Sequence, residues 1–101
     1  MTSTSWSELK KKRLGEMSDA ERVEYDRTYA EAQLAAVVGE RVREAREGAG
    51  LSQRELARRM GTSQAAVARM EAGSVGATLT TLQRAATALG REVQVELRPT
   101  A

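Results

Sequence analysis

The stretch LSQRELARRMGTSQAAVARMEAG, residues 51–73, decides how this chain folds. It reads as two short helices joined by a tight turn at Gly61. Ser52-Gln53-Arg54-Glu55 has the spacing of a capping box, in which a serine ahead of a helix satisfies a backbone N–H three residues on. The helix it opens turns Leu56, Ala57 and Met60 to one inner face and ends at Gly61. Ser63 can cap the next helix, residues 64–72, which turns Val67 and Met70 inward and stops at Gly73.

Downstream, Ser74-Val75-Gly76-Ala77 forms a loop leading to Thr78, an N-cap. The helix that follows carries Leu79, Leu82, Ala85, Ala86 and Leu89 and stops at Gly90. The period then changes from helical to strict alternation. In Glu92-Val93-Gln94-Val95-Glu96-Leu97, the residues Val93, Val95 and Leu97 share one face, which predicts a β-strand. A lone strand leaves its N–H and C=O groups unpaired, and the chain offers no second strand. Pairing with the same strand of a second copy across a two-fold axis resolves this. Val93, Val95 and Leu97 are therefore the candidate dimerisation residues; the alternative is a frayed tail.

Upstream, Ser5 with Glu8 and Ser18 with Glu21 repeat the capping-box spacing. They predict one helix over residues 5–14, closed by Gly15, and a second running over residues 19–47, closed by Gly48 and Gly50. Along the second, Tyr25, Tyr29, Ala32 and Ala36 form one stripe, and Leu34, Val38, Val42 and Ala45 form another. One stripe is expected to pack on the downstream helices and the other to be free for a partner. The run Lys10 to Arg13 reads as a solvated helix face in preference to a nucleic-acid patch.

Composition removes several classes of function. The 101 residues allow one small domain and little more, and no apolar run reaches membrane-spanning length. The polar start without an apolar stretch after the lysines predicts no signal peptide. Cysteine and histidine are both absent, so disulfides, thiolate or His-based metal sites and nucleophile–His dyads are excluded. The carboxylates alternate with arginines on helix faces, as on solvated surface. The expectation is a cytoplasmic, non-enzymatic protein with no cofactor and no metal. Net charge is only +2, but its distribution is uneven: residues 1–27 hold six Lys/Arg against six Asp/Glu, whereas residues 51–73 hold Arg54, Arg58, Arg59 and Arg69 against Glu55 and Glu71.

That positive balance falls on a two-helix unit of the kind that sets its second helix in the DNA major groove. With Val67 and Met70 inward, the outward positions of that helix are Gln64, Ala65, Ala68 and Arg69. Glutamine can bond adenine bidentately, arginine can do so with guanine, and an alanine methyl can touch the thymine methyl. Ser63 and the free N–H groups at the helix start suit a phosphate, and so does Gln53 at the start of the preceding helix. Gln53, Ser63, Gln64, Ala65 and Arg69 are the candidate DNA-binding residues.

Residues 34–90 resemble the Xre/Cro-type helix-turn-helix domain of phage repressors and bacterial regulators. The likeness is carried by Arg46 to Gln53 (REGAGLSQ), Glu55-Leu56-Ala57, Gly61-Thr62-Ser63-Gln64, Arg69-Met70-Glu71, Gly73, Thr81-Leu82 and Ala88-Leu89-Gly90. It implies DNA contacts from Gln53, Gln64, Ala65 and Arg69, and a structural ion pair between Arg46 and Glu71. The flanks narrow it. Ser5-Trp6-Ser7-Glu8-Leu9-Lys10, Glu24-Tyr25-Asp26 and the closing segment Gly90 to Pro99 are similar to HigA-type antitoxins. That resemblance implies a HigB partner, a RelE-like mRNA endonuclease toxin, held by the N-terminal extension. It also implies a homodimer that binds a palindromic operator in double-stranded DNA of its own promoter.

The toxin-binding candidates are Trp6, Leu9, Leu14, Met17, Tyr25 and Tyr29, which include all three aromatic residues of the chain. Interfaces favour Trp and Tyr as anchors. Packing on the chain's own domain is the competing account, evenly matched at Tyr29. A stand-alone phage-type regulator is the alternative function. The expected architecture is mainly α: an N-terminal helical extension over residues 1–30, a five-helix-type helix-turn-helix domain over residues 31–90, and a dimerisation strand and tail over residues 91–101.

Overall fold

The computed structural model describes residues 5–100. The first four residues of the extension and the last residue of the tail lie outside them. Five helices follow in order: α1 Trp6–Gly15, α2 Asp19–Gly48, α3 Gln53–Met60, α4 Gln64–Glu71 and α5 Leu79–Ala88. The chain falls into two units, residues 1–31 and residues 32–101.

Serine and threonine caps set four of the helix starts. The Glu8 N–H donates to Ser5 Oγ and the Glu55 N–H to Ser52 Oγ. The Ala66 N–H donates to Ser63 Oγ and the Thr81 N–H to Thr78 Oγ1. Each cap satisfies an N–H that has no partner inside its helix. The start of α2 is held in the same way, by the Glu21 N–H donating to Ser18 Oγ. At the other end of α3, Gly61 takes φ +72°, ψ 34°, and the Thr62 N–H reaches back to the Ala57 carbonyl at 2.9 Å. A left-handed residue without Cβ is what this stop requires.

The second unit holds the core. Val42 from α2, Leu56, Ala57 and Met60 from α3, Val67 and Met70 from α4, and Ala85 from α5 form one cluster, with Leu82, Ala88 and Leu89 packed against it. Leu56 and Val67 are wholly buried, each stabilising the fold by about 1.5–3 kcal/mol. Of the two α2 stripes, the one through Val42 meets this core, with Val38 and Ala45 half-buried beside it and Leu34 left 65 % exposed. Gly39, on the same side of α2, carries no signal in the sequence. A Cβ built there would stand 2.5 Å from the Met70 carbonyl oxygen and 2.8 Å from that of Glu71, so α2 touches the end of α4 backbone to backbone.

Three features depart from the sequence expectation. Residues 19–48 run as one helix, as expected from a stretch without proline, so the domain counts four helices, α2 to α5, where a five-helix type is expected; the described chain has five in all. The apolar period puts Leu79 on the inner face of α5, but it is 74 % exposed, because it sits in the first turn, beyond the reach of the core. The segment Val93-Gln94-Val95-Glu96-Leu97 is not a strand in the single chain: residues 91–100 have no regular structure. The last backbone-to-backbone bond runs from the Arg91 N–H to the Ala86 carbonyl, and no neighbouring strand follows it among the described residues.

Candidate nucleic-acid interface

The α3–turn–α4 unit places three of the five DNA-binding candidates on one open surface. Gln64, Ala65 and Arg69 are exposed on α4, while Val67 and Met70 on its other side are buried. Ala66 and Ala68 are half-buried and small, so nothing bulky flanks the exposed row. Arg69 has no hydrogen-bond or ion-pair partner among the described residues, which leaves its guanidinium free for a ligand. Arg54, Arg58 and Arg59 on α3 are likewise exposed and unpaired. Ser63 is exposed, but its hydroxyl oxygen is taken by the Ala66 N–H. It works first as a cap, and its O–H stays available as a donor.

Gln53 is placed differently from the reading of the sequence. It is half-buried and joins a continuous chain of hydrogen bonds. Gln64 Nε2 donates to Gln53 Oε1 at 2.9 Å, and Gln53 Nε2 donates to Glu71 Oε1 at 3.2 Å. Arg46 then donates through Nε to Glu71 Oε2 at 2.7 Å and through Nη2 to Glu71 Oε1 at 2.9 Å. Its third contact, Nη1 to the Leu51 carbonyl at 2.8 Å, ties α2 to the start of the α3 cap. The ion pair implied by the family resemblance is thus present, bidentate, with the side chains only 12 % (Arg46) and 4 % (Glu71) exposed. A fork-to-carboxylate pair of this kind fixes orientation as well as charge.

Burial by itself would push the Glu71 carboxyl up. Hydrogen bonds from Arg46 and Gln53, with the Arg46 charge, outweigh burial and hold it below the ordinary carboxylate range. Glu71 therefore stays ionised and keeps its two acceptors filled. The link from this pair through Gln53 to Gln64 was missed in the sequence, because residues 46, 53, 64 and 71 share no helical period. It sets the amide of one exposed DNA-binding candidate, Gln64, through a buried anchor.

The extension forms a separate surface. Trp6, Leu9, Leu14, Met17 and Tyr25 line one cleft of about 710 Å³, edged by Lys10, Lys12 and Arg13. Trp6 is 76 % exposed. Tyr29 does not line this cleft; its ring stacks on Tyr25 at 6.3 Å, with Lys10 Nζ 4.8 Å above it. At the other end of the chain, Val93 is half-buried, and Val95 and Leu97 point largely into solvent. Among the described residues no cluster of metal-ligating side chains occurs, and no helix is long and apolar enough to cross a membrane.

A family model described as helix-turn-helix matches residues 42–95, a span that holds the core, the Arg46–Glu71 pair and every DNA-binding candidate. No curated protein and no solved structure matches the chain.

Proposed function

The chain belongs to the helix-turn-helix family of DNA-binding transcriptional regulators, and from that premise we propose that it is the antitoxin of a toxin–antitoxin pair. In this reading a homodimer binds a palindromic operator in its own promoter through Gln53, Ser63, Gln64, Ala65 and Arg69. The extension holds and neutralises a HigB-type, RelE-like mRNA endonuclease through Trp6, Leu9, Leu14, Met17, Tyr25 and Tyr29. Both activities belong in the cytoplasm.

The observation that carries the finer half is the cleft in residues 5–31. A unit that has no part in presenting the readers keeps a tryptophan three-quarters exposed over an apolar cleft. An exposed Trp over an apolar floor is costly in water and is a typical anchor for a protein partner.

Deletion of residues 1–27 tests the reading. The second unit keeps its core, so operator binding in a gel-shift assay should persist. Rescue of cells expressing a neighbouring RelE-like gene should be lost. Full rescue by the truncated protein would remove the extension from toxin binding. The absence of any toxic neighbour would leave a stand-alone, phage-type regulator.

A further inference from the structure

Residues 92–98 carry an instruction for how two copies meet. Among the described residues, no N–H or C=O of residues 92–100 makes a backbone-to-backbone hydrogen bond. Polar and apolar residues alternate along them. Gln94 Nε2 donates to Glu92 Oε1 at 3.2 Å and Arg98 Nε lies 3.5 Å from Glu96 Oε2, so each polar residue meets the polar residue two positions away. Val93 is half-buried, whereas Val95 and Leu97 are 72 % and 94 % exposed.

We propose that residues 92–98 pair with the same residues of a second copy as an antiparallel ribbon in one register, centred on Val95. The inference rests on the homodimer of the proposed function and specifies its interface. In an antiparallel pair, residues directly opposite each other share a face, so apolar must oppose apolar. Only registers centred on a residue satisfy this. Centring on Gln94 sets Glu92 against Glu96 twice, by symmetry. Centring on Glu96 sets the two Glu96 carboxylates against each other and Val93 against Pro99, which has no N–H to give. Centring on Val95 sets Glu92 against Arg98, Gln94 against Glu96, Val93 against Leu97 and Val95 against itself. Every polar pair is then complementary, and the ladder ends at Pro99.

The same register gives Leu97 a destination. Val93 stands at the wall of a groove of about 500 Å³ lined by Val37 and Val42 of α2 and by Leu82, Ala86 and Leu89. The residue opposite Val93 is Leu97 of the second copy, so that side chain comes to the groove and leaves the solvent it meets in the single chain. Two grooves are filled by one symmetric exchange.

The 101 residues contain no cysteine, so a thiol introduced among them is unique. Oxidised Val95→Cys is expected to trap a disulfide-linked dimer more readily than Gln94→Cys or Glu96→Cys. By sedimentation equilibrium, Glu92→Arg should raise the dimer dissociation constant about tenfold by facing two arginines at each end. The exchange Glu92→Arg/Arg98→Glu should restore it. Preferential trapping through position 94 or 96, or a double variant as weak as Glu92→Arg alone, overturns the register while leaving the dimer in place. A wild-type chain that sediments as a monomer throughout overturns the homodimer itself. A dimer whose 92–98 amides exchange freely with solvent places the interface elsewhere and overturns the ribbon.

Discussion

Arg69 and Glu71 stand two residues apart on α4 and serve opposite ends. Arg69 is exposed and unpaired; Glu71 is nearly sealed from water by Arg46 and Gln53. Arg69→Ala is therefore expected to cost about 1–3 kcal/mol of sequence-specific DNA binding while circular dichroism and thermal stability stay unchanged. Unaltered affinity in that variant would remove Arg69 from the readers. Glu71 predicts a pH effect. Its folded-state pKa lies below its unfolded value, so its contribution is complete above the unfolded carboxylate range and is lost as pH falls through the depressed value. Unfolding by urea should show the natural chain losing more stability between about pH 5 and pH 3 than Glu71→Gln does. Equal acid sensitivity would show that the pair does not dominate the acid limb. Arg46→Ala leaves a buried carboxylate without its cation and should cost about 3 kcal/mol, read as a lowered melting temperature.

At the scale of elements, the turn at Gly61 and the end of α2 at Gly48 allow a direct comparison. Gly61 has φ +72°, whereas Gly48 is helical and a Cβ there would meet nothing within 4 Å. Gly61→Ala should destabilise by about 1 kcal/mol in thermal unfolding, and Gly48→Ala should be neutral or mildly stabilising. A neutral Gly61→Ala would mean that the turn tolerates another geometry. The helices were legible in the sequence because serine or threonine caps open them and inner residues recur at helical spacing. Ser52, Leu56, Val67 and Met70 stand where that pattern puts them. What escaped were relations between elements. Gly39 looks like an ordinary interruption of a helix until α4 is laid against it. Gln53 looks like a free surface amide until Glu71 and Gln64 are brought to either side of it. Leu79 matches the apolar period of α5 but lies past the edge of the core. The alternation from Val93 to Leu97 is real as a pattern, yet a ladder needs a neighbour that one chain does not supply.

For the whole molecule, a net charge of only +2 with unpaired arginines on α3 and α4 means that phosphate attraction is local. Operator affinity should fall steeply with salt, the slope of log affinity against log salt being roughly −0.9 per phosphate neutralised. Replacing Arg58 or Arg59 by Ala should make that slope shallower by about one for each phosphate no longer neutralised in a half-site, without changing which base pairs are preferred. A slope that is unchanged in both variants would take α3 off the backbone. A core of this size has little room for compensation, which gives the close approach at Gly39 a reach beyond its neighbours. A methyl group there collides with the carbonyls that close α4 and displaces Glu71, and with Glu71 move Gln53 and Gln64. In a genetic selection for cells in which this protein no longer occupies its DNA, codon 39 would come up beside codons 64 and 69. It would be a silent-looking position outside α3 and α4, intolerant of every other amino acid.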